Sequence, residues 1–241
     1  MGKTASRRPA GAGGKAGQRR TLTRPFDIHR AVILLRGEVK QWREPVVTTY
    51  SRANKRPAFH VLISCLLSLR TRDEQTAAAS ARLFAAARTP EAIANLPVPL
   101  IEKLIYPVGF YRTKAKTLVA VCRTLLEQHG GKVPAGIDEL VKLKGVGRKT
   151  ANLVVTLGYG KPGICVDTHV HRICNLWGYV KTKTPDQTET ALREKLPREY
   201  WIEFNDLLVT FGQNLCKPVS PFCSRCRLAF MCPRIGVARW R

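Results

Sequence analysis

The twelve residues from Ala58 to Leu69 (A-F-H-V-L-I-S-C-L-L-S-L) are apolar on nearly every side of a helix. Such a helix is stable only when other elements enclose it, so the rest of the chain has to supply a shell. The candidates are legible on both sides. Pro25 to Trp42 carries Ile28, Ala31, Val32, Leu34, Leu35 and Val39 at the spacing of one helical face. After a connector from Pro45 to Pro57 and the central segment, Asp73 to Arg88 reads as an alanine-rich helix that Asp73 is placed to cap. Shorter helices follow to about Ile105, Gly109 to Arg112 is a loop, and Thr113 to His129 is a long amphipathic helix. Thr168 to Trp177, Pro185 to Leu196 and Glu199 to Leu215 complete the series. No segment alternates with period two and no fixed-period repeat occurs, so the expected fold is all-α.

At 241 residues the chain can bury one large core or two small ones. Forty-one Lys plus Arg against seventeen Asp plus Glu give a formal charge of +24, an excess that points to a polyanionic partner. No apolar run approaches a membrane span, and the first thirty residues lack the apolar core of a signal peptide. An intracellular protein without disulfides is therefore expected. Residues 1 to 24 hold seven basic residues and no acid; this segment is expected to be a disordered basic tail, suited to non-specific phosphate contacts.

The stretch Leu143-Lys144-Gly145-Val146-Gly147-Arg148-Lys149-Thr150-Ala151 joins two helical patterns, Ile137 to Leu143 and Lys149 to Leu157. Gly145 and Gly147 permit positive φ and leave the backbone uncovered. Their amides can then meet an anion at the next helix's N-terminus, although a tight turn without a ligand has the same pattern. Lys149 sits in that helix's first turn beside Arg148 and Lys144. The positive helix end and the neighbouring cations disfavour its charged form, as a lysine nucleophile requires; a simple phosphate-contacting cation is the alternative. Asp167 is placed to cap the helix starting at Thr168, and a carboxylate there can also stabilise a developing positive sugar or accept a proton.

The eight cysteines fall into two groups. Cys65, Cys122, Cys165 and Cys174 stand singly in apolar patterns, as core residues do. Cys216, Cys223, Cys226 and Cys232 lie within seventeen residues of proline-interrupted chain, close enough to surround one centre. Four thiolates suit tetrahedral zinc or a [4Fe–4S] cluster. Zinc sites commonly pair two C-x2-4-C knuckles, and only one is present. Lys217, Arg225 and Arg227 flank this centre.

L-K-G-V-G-R-K-T-A-N-L-V, then V-D-T-H-V-H-R-I-C with Asp167 eighteen residues after Lys149, then C-x6-C-x2-C-x5-C, resemble endonuclease III of the helix-hairpin-helix DNA glycosylase superfamily. The likeness runs from about Arg24 to Cys232 and includes L-L-S-x-x-T-x-D (Leu66 to Asp73) and G-F-Y-R-T-K-A (Gly109 to Ala115). The resemblance implies two helical domains flanking a DNA cleft: a six-helix domain near residues 51–161 carrying the hairpin, and a second built from 25–50 and 162–241. It implies a [4Fe–4S] cluster on the four clustered cysteines and a bifunctional DNA glycosylase and abasic-site lyase acting as a monomer on double-stranded DNA with damaged or abasic sites. Lys149 would attack C1′ of the deoxyribose, and Asp167 would assist. Gly145, Gly147, Arg148 and Lys217 would contact DNA, and oxidised pyrimidines would be the bases removed.

Two positions vary from the family pattern. Arg70 stands where endonuclease III commonly has Gln, and Phe110 where a smaller aliphatic wedge is frequent. Both are expected to fill the stack vacated by the everted base; a surface arginine and a packed phenylalanine are the plain alternatives. A monofunctional mismatch glycosylase, which generally lacks a lysine at position 149, and a non-catalytic DNA-binding protein keeping the same scaffold are the competing functions. A bulky residue at Gly147 is expected to weaken DNA binding and displace Lys149 together.

Overall fold

A computed structural model describes residues 25–42, 47–48 and 58–241. The basic tail 1–24 and most of the connector 45–57 lie outside the described residues. Among the described residues the secondary structure is entirely helical, as expected, and no helix is long and apolar enough to cross a membrane.

Helix α1 (Ile28–Glu38) starts where the Asp27 carboxylate accepts from the Arg30 amide at 3.0 Å and ends in a 3-10 turn, Val39–Gln41. Helix α2 (Ala58–Ser68) is the enclosed one, with every residue from Val61 to Leu67 buried. Helix α3 (Asp73–Ala86) follows. Asp73 does not cap it: the cap position is Arg72, without a side-chain bond, and Asp73 stands in the first turn. Next come α4 (Pro90–Asn95), capped by Thr89, α5 (Val98–Ile105) and α6 (Tyr111–His129). Helix α7 (Ile137–Leu140) is a single turn, shorter than its apolar pattern because the chain bends at Val141 toward the glycines. Helix α8 (Arg148–Leu153) continues as a π-helical turn, Val154–Gly158, where the sequence pattern suggests an unbroken α-helix. Helices α9 (Thr168–Leu176), α10 (Pro185–Lys195) and α11 (Phe204–Asn214) complete the order. The last is preceded by a separate 3-10 turn at Arg198–Tyr200, so the segment from Glu199 is not one helix.

Two hydrophobic cores result. One runs from Val61 to Leu157 and is centred on α2, which α3, α6, α8 and the π turn surround. The other joins α1 to α9, α10, α11 and the cysteine-rich segment, around the buried Trp177, Phe204, Phe211 and Leu35. The chain thus returns its N-terminal helix to a core otherwise made by its C-terminal third. Asp167 and Lys149 lie where the two meet.

The contact between α2 and the π turn is a backbone approach. A Cβ on Gly158 would sit 2.9 Å from Ala58 Cα and 3.1 Å from Ala58 Cβ, so a side chain there forces the two segments apart. Gly158→Ala is expected to cost about 1–3 kcal/mol, read as a lower urea midpoint at unchanged slope; an unchanged midpoint would show that the approach is not constraining.

Candidate active site and nucleic-acid interface

The hairpin is anchored from below by Leu143 and Val146, both buried, with the Val146 amide donating to the Leu143 carbonyl at 3.1 Å. Gly145 has φ +78°, in the left-handed region that glycine tolerates. Gly147 does not: its φ is −93°, it occupies the cap position of α8, and a Cβ there would meet nothing within 4 Å. Fold and packing therefore do not require glycine at 147.

Lys149 stands in the first turn of α8, and its Nζ lies 3.9 Å from Asp167 Oδ2. The two Asp167 oxygens have different tasks. Oδ1 accepts from the His169 and Val170 amides, each at 2.9 Å, and so caps α9; Oδ2 faces the lysine. The carboxylate is 8% exposed, and the Lys149 side chain is half exposed. Asp167 therefore caps α9 and faces Lys149 at once.

Four further residues lie near this pair. Cys65 and Cys165 are fully buried, burial pushing the Cys65 thiol up to about 12, and both feel the Lys149 charge; these are inert core thiols. The Asp73 carboxyl is raised by burial, with Lys149 pulling the other way, so Asp73 belongs to this neighbourhood. Burial also lowers the His169 pKa, and its Nδ1 is enclosed without a hydrogen-bond partner. Gly212 makes room for that ring, since a Cβ there would collide with it. Sequence reasoning assigned Asp73 only to capping and passed over His169, although His169 stands two residues after Asp167.

Arg148 is held rather than free. It donates from Nε and Nη2 to the two carboxylate oxygens of Glu189 on α10 at 3.0 and 2.8 Å. Arg193 donates to the same carboxylate at 2.8 Å and to Asn152 Oδ1 at 3.2 Å, and Asn152 donates to the Arg148 carbonyl at 3.1 Å. This network ties the start of α8 to α10. It fixes the helix end that carries Lys149.

Arg70 and Phe110 come together from two loops. Both adopt left-handed backbone, φ +53° and +59°, a conformation uncommon outside glycine. The Arg70 guanidinium lies 5.7 Å from the centre of the Phe110 ring, and Phe110 is 64% exposed.

The four clustered cysteines are unpaired and line one small cavity with Trp177, Phe211, Phe222 and Arg234. Burial raises all four thiols, Cys226 to about 11 and Cys232 to about 12. Opposing this, Arg172 Nη1 reaches Cys216 Sγ at 3.6 Å and Arg234 bonds the Cys223 thiol. Among the described residues no three His, Cys, Asp or Glu side chains are drawn up as a ready metal-ion shell. Lys217 leads the loop after Cys216, its Nζ 5.6 Å from the centre of the Phe222 ring.

Residues 63–198 match the family described as HhH-GPD superfamily base excision DNA repair protein, which gives the class that this helical fold and hairpin define. Endonuclease III of Thermotoga maritima is 46% identical over 195 residues, covering 80% of this chain and 92% of that protein. Endonuclease III of Escherichia coli K12 is 37% identical, covering 72% and 82%. A solved trapped endonuclease III–DNA covalent intermediate superposes with TM-score 0.69 at 37% identity, covering 73% of this chain and 84% of that one. The chain belongs to the endonuclease III family and is a base-excision DNA glycosylase/lyase. Some relatives are longer: the chain spans about half of the chloroplastic homologue of Arabidopsis thaliana, 48% of its length. A thermostable thymine-DNA glycosylase shares the fold at TM-score 0.67 and 23% identity.

The Glu189 network carries a pH signature. Burial alone would raise its carboxyl, but the bonds from Arg148 and Arg193 outweigh it and hold the pKa below the ordinary value. A depressed carboxylate stabilises the fold above the unfolded pKa, about 4.3, and loses that contribution as pH falls through the lower folded value. Glu189→Gln is expected to cost about 3 kcal/mol at neutral pH, with the gap from wild type narrowing in acid below the unfolded value. A gap independent of pH in urea titrations would contradict this assignment.

Proposed function

We propose that this chain removes oxidised pyrimidines from duplex DNA and cuts 3′ of the resulting abasic site, using Lys149 as nucleophile. The observation that carries the proposal is the 3.9 Å approach of Lys149 Nζ to the free oxygen of a capped, buried Asp167. Because Oδ1 is occupied by two amides, the carboxylate cannot swing away, and Oδ2 stays aimed at the reacting amine.

In this mechanism Asp167 takes a proton from the lysine ammonium, passes it to the departing base and, as the carboxylate so restored, stabilises positive charge developing on the sugar. The amine lone pair forms a bond to C1′ as the C1′–N bond breaks, and the base leaves with that electron pair and acquires a proton. After loss of a second proton from nitrogen, its lone pair forms C1′=N as the C1′–O4′ bond breaks and O4′ takes up a proton, giving a protonated Schiff base. The imine acidifies the C2′ hydrogen; its removal expels the 3′ phosphate by β-elimination and cuts the strand. One lysine thereby serves both activities.

The turn from Gly145 to Lys149 is proposed to lie on the DNA backbone. The open space around a Cβ at Gly147 supports close approach of a phosphate. Arg148 would add positive charge from its fixed place, Lys217 would meet the flanking strand, and Arg70 and Phe110 would occupy the space left by the everted nucleotide. The enzyme would work as a monomer, DNA-associated within the cell.

Cys216, Cys223, Cys226 and Cys232 are proposed to hold a [4Fe–4S] cluster. Four soft donors on one cavity, with guanidinium groups beside two of them to favour thiolate, fit that group. The cluster when bound supplies a tetrathiolate centre that braces the segment 216–232. Lys217 is held by its place in that segment.

Lys149→Gln is expected to abolish base release and strand cleavage together, while wild type gives a borohydride-trapped protein–DNA adduct. Asp167→Asn keeps a capping oxygen and is expected to lower kcat by about 10²–10⁴ with little change in melting. Full turnover by Lys149→Gln, or binding of an abasic duplex by wild type without cutting, would overturn the mechanism. For the cofactor, purified protein is expected to contain about four iron atoms and a visible charge-transfer band, both lost in Cys223→Ser; stoichiometric zinc instead would refute the cluster.

A further inference from the structure

Lys114 lies on the first turns of α6, four residues beyond Phe110. Its half-buried ammonium reaches the end of α2. Nζ donates to the Leu67 carbonyl at 2.7 Å, the Leu69 carbonyl at 2.5 Å and Thr71 Oγ1 at 3.1 Å. Three acceptors match the three N–H donors of an ammonium, and a neutral amine has only two. Burial pushes Lys114 down to about 8, so near neutral pH the three-donor form predominates.

The acceptors lie on either side of Arg70. Leu67 and Leu69 offer carbonyls at the open end of α2, and Thr71 follows Arg70 directly. The same Thr71 Oγ1 accepts from the Gly109 amide at 3.1 Å, one residue before Phe110. Gly109 has no side chain to spare: a Cβ would sit 2.6 Å from the Arg70 carbonyl oxygen and 3.4 Å from Thr71 Oγ1. The two loop tips, each in left-handed backbone, are therefore joined through one hydroxyl, one ammonium and one glycine contact. Helix capping alone would need only the carbonyls. The shared hydroxyl and the glycine contact concern the relation between loops.

We propose that Lys114 is a positioning residue that clamps the 69–71 and 109–111 loops together, so that Arg70 and Phe110 enter the duplex as one prestacked unit. The inference rests on the reading of those two residues as the groups that fill the vacated stack. A joined pair has lost its relative freedom before DNA arrives, so less ordering is required on insertion. Lys114 itself touches neither Lys149 nor Asp167 and takes no part in the bond changes. Its effect should fall on base eversion and leave imine chemistry intact.

The experiment compares wild type, Lys114→Met, Gly109→Ala and the double variant Arg70→Ala/Phe110→Ala. Excision of an oxidised pyrimidine from duplex DNA is measured beside cleavage of a preformed abasic site, and 2-aminopurine opposite the lesion reports insertion by fluorescence. Lys114→Met is expected to lower kcat/KM for base excision by about 10-fold, with abasic cleavage within about twofold of wild type, as loss of charge-assisted hydrogen bonds predicts. The fluorescence rise on binding should shrink in parallel. Gly109→Ala retains the lysine and is expected to reproduce both effects; it carries the test if Lys114→Met does not fold. Equal loss of both activities, or an unchanged fluorescence rise in the folded variant, would overturn the clamp. If the double alanine variant excises and reports insertion like wild type, the stack-filling reading itself fails. If that variant is impaired while Lys114→Met and Gly109→Ala are not, the clamp alone fails.

Discussion

The arrangement depends on one carboxylate being divided between two neighbours. Asp167 Oδ1 is spent on the first amides of α9, and that bond fixes where Oδ2 points. Lys149 comes from the hairpin on the α2-centred core, whereas α9 belongs to the core containing Trp177 and Phe211. The Lys149–Asp167 contact is thus a contact between the two cores as well as the pair proposed to react. Its spacing is only as well defined as the docking of the two cores. Arg148 and Glu189 add a second tie across the same junction, with bidentate geometry that resists rotation of α8 relative to α10.

Much of this could be read from the chain, for identifiable reasons. Helices announced themselves because their apolar stripes are long, and the burial of α2 followed from having no polar side. Lys149 and Asp167 stood at helix starts, where local sequence dictates conformation. The clustered cysteines were conspicuous because local spacing keeps them near one another. Less legible were features fixed by distant partners. Glu189 lies 41 residues from Arg148, and no local pattern links them, so the carboxylate that holds this arginine is not legible in the sequence. Asp73 looked like a cap because its sequence neighbours suit one, whereas its location near Lys149 is set by how α2 and α3 cross. The π turn after α8 likewise reflects packing of Gly158 onto Ala58, which periodicity cannot express.

The two glycines of the hairpin illustrate how one residue type can answer two demands. Gly145 is needed by the chain itself, through its positive φ and a Cβ position 3.2 Å from Thr117 Cγ2. Gly147 has ordinary backbone angles and room for a Cβ, so neither conformation nor the first side-chain atom requires glycine there. One glycine shapes the turn. The other leaves it bare.

Helix α2 is gripped at both ends. At Ala58 the π turn presses against its backbone, and at Ser68 the carbonyls around its terminus are engaged by Lys114. Between these grips lie eleven helical residues, about 16 Å of nearly incompressible rod. One end is coupled to the segment that bears Lys149, and the other to the loop that bears Arg70. The rod therefore acts as a gauge: it sets the distance between the helix that carries Lys149 and the loop that carries Arg70.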